Sequence, residues 1–179
     1  MSTEGASAAS KNPCAAGKSP RQLAFTTVTG FIALGFGSGL SPKAPGTMGS
    51  LAAMLLALPL QYLSDVSYGV VLVVAFGLGI YCCEKTSQRM AVQDPGAIVW
   101  DEIVAMWLVL AFVPAHWAWW LCAFLLFRFF DIFKPWPIRW LDKNVKGGAG
   151  IMWDDGLAAV YAIALLLLAQ RYLPASLPG

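Results

Sequence analysis

The chain reads as a succession of strongly apolar runs separated by short polar segments. Five runs can be delimited: Met48–Leu63, Tyr68–Cys83, Ala97–Val113, Trp117–Phe130 and Gly156–Ala169, each 14 to 17 residues long. Helices of that length lie at the short end for a hydrocarbon core that takes about 20 residues, so the flanking polar residues must enter the membrane edge. Ahead of the first run, Leu23–Leu34 is weakly apolar, carries three threonines and Gly30, and suits a helix lying in the interface or re-entering it. Gly35–Ser50 follows, with five glycines and two prolines in sixteen residues. Such irregular backbone cannot face lipid and must lie at the surface or line a polar cavity. Thr47 is placed to cap the next helix, whose free amides could hold an anion. The fold expected is therefore all-α: an integral membrane bundle of about five short transmembrane helices, preceded by a short interfacial or re-entrant helix and loop. Residues 1–22, rich in Ser, Ala, Gly and Pro, predict a disordered cytoplasmic tail; 23–173 form a single transmembrane domain, and 174–179 a short C-terminal tail.

Composition agrees with the pattern. Apolar residues make up 58% and charged residues only 12%, about half the charge of a soluble domain. Eight tryptophans, several beside run ends (Trp100, Trp117, Trp119, Trp120, Trp153), suit rings that settle among headgroups. A net charge of +2, with no recognition motif, gives no ground for nucleic-acid binding. The four cysteines offer neither CxxC nor Cys/His spacing and read as small buried hydrophobes. With the tail cytoplasmic, eleven of the twelve Lys and Arg residues fall on the cytoplasmic side and only Arg171 on the other, as the positive-inside rule requires. His116, the single histidine, sits in a short turn on the far side and is assigned no chemistry.

Candidate chemistry collects on the cytoplasmic side. Asp101 and Glu102 sit four and five residues into the third run, and the eleven residues left after them reach only about 16 Å as helix, so both carboxylates lie at or below the membrane edge. Ionisable groups placed there are expensive and by default functional. Arg128 and Asp131, three apart, share a helix face at the end of the fourth run. Asp154 and Asp155 open the fifth, where helix capping is the simpler explanation for them. The segment Arg128–Asp155 alone holds five of the twelve basic residues and four of the ten acids. Asp94, Asp101, Glu102, Asp131, Asp154 and Asp155 form an all-oxygen set suited to a hard cation, Mg²⁺ where phosphate is the other ligand. Lys43, Arg128, Lys134, Arg139, Lys143 and Lys146 are cations able to hold phosphate, although Lys143 and Lys146 are accounted for by the positive-inside rule alone.

Three stretches carry a resemblance. GFGSGLSPKAPGTMGS, DPGAIVWDEIVAMW and FRFFDIFKPWPIRWLDKNVKGGAGIMWDD resemble, in order and spacing, the hallmark segments of the bacterial phosphatidylglycerophosphatase A family, over about Gly35 to Tyr161. The resemblance implies a Mg²⁺-dependent, multi-pass inner-membrane phosphatase. Its substrate would be a membrane phospholipid, phosphatidylglycerophosphate, from which it removes the terminal phosphate on the cytoplasmic side. The family's acidic positions fall on Asp94, Asp101, Glu102, Asp131, Asp154 and Asp155, and its first stretch on Gly37, Pro42, Pro45, Gly46 and Thr47. Ala105 stands where the family pattern leads one to expect glycine. On this reading Asp101, Glu102, Asp131 and Asp155 are catalytic, all six acids are metal ligands, and Lys43, Thr47, Arg128, Lys134 and Arg139 bind the substrate phosphate.

Rival chemistries leave weaker traces. No GxxxxGK[ST] loop is present, no cysteine is followed by five residues and an arginine, and Asp131-Ile132-Phe133 lacks the second acid of a phospho-aspartate motif. Attack by water is accordingly preferred to a phospho-enzyme. Asp155-Gly156 begins the array of a CDP-alcohol phosphotransferase, but Leu157-Ala158-Ala159-Val160 does not continue it. A small cation or proton carrier using the buried acids is the remaining, non-enzymatic alternative.

Overall fold

Two kinds of signal place the helices: apolar runs that need their backbone hydrogen bonds satisfied internally, and capping residues that say where each begins. The computed structural model describes residues 17–92 and 95–172. It contains α1 (Pro20–Thr26), α2 (Val28–Ala33), α3 (Pro45–Ala57), α4 (Asp65–Met90), α5 (Trp100–Leu110), α6 (Trp117–Phe133), α7 (Ile138–Asn144) and α8 (Gly147–Tyr172), with 3₁₀ turns at Gly35–Leu40 and Pro59–Tyr62. Among the described residues there is no strand. Ser19 and Ser64 accept from the amides of Gln22 and Ser67 to open α1 and α4, and His116 Nδ1 accepts from Ala118 N to open α6.

Several boundaries differ from the sequence expectation. Helix α1 starts at Pro20, so the last residues of the expected tail belong to the bundle. Leu23–Leu34 is two helices rather than one, because Thr27 adopts an extended backbone, ends α1 and accepts from Gly30 N to cap α2. Thr47 is not a cap: α3 starts two residues earlier at Pro45, whose fixed φ suits the first helical position, behind Ala44 in a left-handed conformation. Asp154 and Asp155 are not caps either, being the eighth and ninth residues of α8. The tryptophans divide. Trp117 and Trp153 are exposed as expected of interfacial rings, but Trp100 and Trp120 are buried inside the bundle.

Helix α5 is the axis of the fold. Nine of its eleven residues are buried, and it packs on α3, α4, α6 and α8. Its two indoles reach neighbouring backbones: Trp100 Nε1 donates to Ala75 O and Trp107 Nε1 to Ala53 O, both at 3.0 Å, while Tyr68 Oη donates to Trp107 O at 2.8 Å. Side-chain polar groups inside an apolar bundle have no water to turn to, so these bonds fix the register of α3 and α4 on α5. Ala105 lies buried in the same core, where its methyl is a packing group.

The outside is apolar as well. Helix α4 turns Val70, Val73, Val74, Leu78 and Tyr81 outward, α6 exposes Leu121, Leu125, Phe129 and Ile132, and α8 exposes Val160, Leu165, Leu167 and Leu168. Only 28% of the most apolar part of α4 is buried, which is the reverse of a soluble core helix and matches lipid as the surrounding medium. Two helices, α4 and α8, are long and apolar enough to cross a bilayer. The others are shorter, α3, α5 and α6 having 13, 11 and 17 residues.

Helices α4 and α8 cross where glycine removes a side chain. A Cβ on Gly148 would lie 2.1 Å from Ile80 O, whereas one on Gly77 would meet open space. Gly148→Ala should therefore destabilise the bundle by about 1–3 kcal/mol through overpacking. Gly77→Ala should leave the thermal unfolding midpoint in detergent unchanged or slightly raised.

Candidate active site

The ends of four helices and one loop meet at a single pole of the bundle. The N-terminus of α5 brings Asp101 and Glu102, the C-terminus of α6 brings Arg128, Asp131 and Lys134, α7 brings Asp142 and Lys143, and the first turns of α8 bring Asp154 and Asp155. A cavity of about 390 Å³ opens between them, lined by Asp101, Glu102, Asp131, Asp142, Asp154 and Asp155 with Lys134, Lys143 and Lys146. Five of the six acids that the sequence collected on one side line this cavity. Asp94 lies outside the described residues.

Three carboxylates form the centre. One oxygen each from Asp101, Glu102 and Asp155 falls within 4.8 Å of the others. At that separation two like charges repel by about 3.5 kcal/mol at an effective dielectric constant of ~20. Asp101 and Asp155 are 9% and 4% exposed, and Asp101 Oδ1 and Asp155 Oδ2 have no hydrogen-bond partner among the described residues. Crowded, buried carboxylate oxygens of this kind fit a hard cation, which would neutralise the repulsion and satisfy the lone pairs at once.

Around this centre the acids are paired. Arg128 Nη1 lies 2.6 Å from Asp131 Oδ2 and 3.5 Å from Glu102 Oε1, so one guanidinium bridges α5 and α6. Lys134 Nζ lies 2.5 Å from Asp154 Oδ2 and 3.4 Å from Asp142 Oδ1, bridging α7 and α8. Burial works against the charge on Lys134, but the hydrogen bond it donates to Asp154 and the fields of Asp154, Asp142 and Asp155 outweigh it and hold the ammonium protonated well above the usual lysine range. Of the five residues that the resemblance assigns to the phosphate, only Lys134 lines the cavity, where Lys143 and Lys146 join it. Arg128 is engaged by carboxylates, Lys43 is exposed, Thr47 is half-buried outside the lining and Arg139 lines a second hollow.

The glycines of the first stretch act through packing. On α3, Gly46 and Gly49 lie one turn apart and form the bed on which Glu102 rests: a Cβ on Gly46 would sit 2.0 Å from Glu102 Oε1 and 3.0 Å from Arg128 Nη1. A Cβ on Gly49 would sit 2.7 Å from Val99 Cβ. Two further participants carry little signal in sequence. Asp142, the second partner of Lys134, looks like one more charge in a polar loop. Glu84, just past the end of its apolar run, sends Oε2 across to accept from Gly148 N at 2.6 Å. Its carboxylate thereby caps α8 from another helix and sets where Asp154 and Asp155 fall.

Fold and site together define a class: an all-helical protein, with two helices long and apolar enough to cross a membrane, whose carboxylates gather around one cavity. Residues 31–170 match the family described as phosphatidylglycerophosphatase A, and the chain belongs to that family of phosphoric monoester hydrolases. It is 45% identical to the phosphatidylglycerophosphatase A of Escherichia coli K12, over 80% of this chain and 84% of the relative. It is 49% identical to the phosphatidylglycerophosphatase A of Haemophilus influenzae, over 79% and 88%. A third relative, from Bacteroides thetaiotaomicron, is 42% identical over 78% and 91% and carries the provisional name phosphatidylinositol-3-phosphatase. No solved structure matches the chain significantly.

The bed under Glu102 gives a test that changes no charge. Gly46→Ala should displace the Glu102 carboxylate and lower turnover by about 100-fold, the scale expected for an ångström-sized misplacement in a site. Gly69→Ala, where a Cβ meets nothing, should leave phosphate release within twofold.

Proposed function

We propose that this chain hydrolyses the terminal phosphomonoester of phosphatidylglycerophosphate, giving phosphatidylglycerol and inorganic phosphate, in a bacterial inner membrane and from its cytoplasmic side. One observation carries the reading: three carboxylates crowded within 4.8 Å in the lining of a cavity, in a chain of this family, with a protonated lysine in the same lining. The relatives from E. coli and H. influenzae support the headgroup by their names, and the outward apolar faces of α4, α6 and α8 support a substrate that stays in the bilayer. Helices α4 and α8 cross, α6 and the shorter α3 and α5 complete the embedded bundle, and residues 23–173 act as one domain. The basic residues Lys85, Arg89, Lys134, Arg139, Lys143 and Lys146 cluster at the pole of the cavity, which supports a cytoplasmic orientation.

Asp101, Glu102 and Asp155 would hold Mg²⁺, with Asp131 and Asp154 beside them and Asp94 a further ligand by resemblance. When bound, the ion supplies neutralising charge to the phosphate oxygens as the phosphoryl group loosens from its leaving oxygen. The chain's own groups do the rest. Arg128 fixes Glu102 and Asp131 relative to each other. Lys134, which keeps a full charge throughout, stands in the cavity lining where a phosphate oxygen can join the carboxylates it already bridges. A water molecule forms the new P–O bond while the P–O bond to glycerol breaks, and a carboxylate of the cluster accepts the water proton and passes it to the departing glycerol oxygen. The cavity stands where a headgroup lies, so the acyl chains need not leave the bilayer.

Purified full-length chain in mixed micelles should release inorganic phosphate from phosphatidylglycerophosphate, lose that activity with EDTA and regain it with Mg²⁺. Absence of release under any divalent cation contradicts the assignment. Asp101→Asn, Glu102→Gln, Asp131→Asn and Asp155→Asn should each lower turnover by at least about 100-fold while inserting normally. A variant that keeps full activity removes its residue from the site. Cys82→Ser with Cys83→Ser should leave turnover within a few-fold, because both thiols are buried in the packed core and neither lines the cavity.

A further inference from the structure

Beyond the acidic cavity, a second hollow of about 480 Å³ lies against the loop after α6 and the outer face of α7, and its lining has the opposite character. Trp136, Arg139 and Trp140 line it, and Lys134 and Lys143 line both it and the acidic cavity, so the two spaces share a wall of two lysines. Ile138 is fully buried and anchors α7 in the bundle, which leaves Arg139, Trp140 and Lys143 exposed. The Tyr161 hydroxyl donates to Trp136 O at 3.1 Å and ties the loop to α8. Trp136 and Trp140 are 80% and 58% exposed, as suits rings in the headgroup layer.

The charges sort in the same way. Lys134 is already engaged by Asp154 and Asp142, whereas Arg139 and Lys143 form no ion pair with any acid among the described residues. An anion without a metal is repelled from six carboxylates but attracted by a free guanidinium that can grip two phosphate oxygens.

We infer that this groove seats the inner phosphodiester of the lipid substrate, with Arg139 as its main contact, while the terminal phosphomonoester crosses the lysine wall into the carboxylate cavity. The inference rests on the function proposed above. It separates the two phosphates of one headgroup by charge: the phosphodiester, singly charged, goes to the free cations, and the phosphomonoester goes to the site that can hold a metal. It also gives the α7 hook a role in specificity, because a lipid whose only phosphate is the phosphomonoester would leave the groove empty.

The test uses the full chain in detergent, with dihexanoyl phosphatidylglycerol as a probe that carries the phosphodiester and no phosphomonoester. Titration calorimetry should show that it binds the wild-type chain, and that Arg139→Gln weakens binding about tenfold while Arg139→Lys restores part of the loss. In turnover, Arg139→Gln should raise KM for phosphatidylglycerophosphate by a similar factor with kcat within twofold. Inhibition by inorganic phosphate, which needs only the acidic cavity, should not change, and Arg171→Gln should alter none of these quantities. Failure of the wild-type chain to bind the probe, an unchanged affinity in Arg139→Gln, or equal weakening of the probe and of inorganic phosphate overturns the inference. Because probe binding requires no turnover, a chain that binds it through Arg139 yet releases no phosphate would contradict the proposed reaction and leave the groove standing.

Discussion

Glu102 rests on the glycine face of α3, faces the Arg128 guanidinium at 3.5 Å and shares with Asp101 and Asp155 a space less than 5 Å across. Holding acids together in an apolar bundle is the constraint on which the rest of the structure depends. Each must be paired, hydrogen-bonded or neutralised, because neither lipid nor packed side chains can solvate it. The solution is a shell of two bridging cations, Arg128 between α5 and α6 and Lys134 between α7 and α8, around a centre of three crowded carboxylates that could hold a cation. Removing a bridging cation would leave its acids buried and uncompensated, so the two act as structural members as well as electrostatic ones.

Positioning is supplied from farther away. The short, almost wholly buried α5 is pinned by indole-to-carbonyl bonds to α3 and α4, and those bonds set the depth at which Asp101 and Glu102 emerge. Helix α8 is set by Glu84, whose carboxylate takes the amide of Gly148. The two halves of the carboxylate cluster therefore derive their places from α4, which supplies both Ala75 O and Glu84 and is itself one of the two helices long enough to cross a bilayer.

Much of this was legible in the sequence. The apolar runs yielded the helices, and Asp101 and Glu102 declared themselves because carboxylates interrupt a run too short to hide them. The apolar runs and the distribution of Lys and Arg put them on the same side as Asp131, Asp154 and Asp155. The family resemblance is borne out by the match over residues 31–170. What escaped was tertiary. Lys-Gly-Gly-Ala-Gly at 146–150 has loop propensity, yet α8 begins at Gly147, because Glu84 caps it and glycines allow the close approach to Ile80 O. Residue type likewise identifies Arg128 as a cation without saying that neighbouring acids engage it. Lys134 lines both hollows and Arg139, five residues on, only the outer one, a division decided by where α7 starts at Ile138.

The central claim is that Asp101, Glu102 and Asp155 form one divalent-cation site on which hydrolysis depends. Its most direct test is Mn²⁺ binding to the full chain in nanodiscs, followed by electron paramagnetic resonance as the free-ion signal is depleted. The account predicts saturable binding that Mg²⁺ competes away, and that Asp101→Asn combined with Asp155→Asn abolishes in step with phosphate release. Mn²⁺ binding of undiminished affinity in that double variant would contradict it.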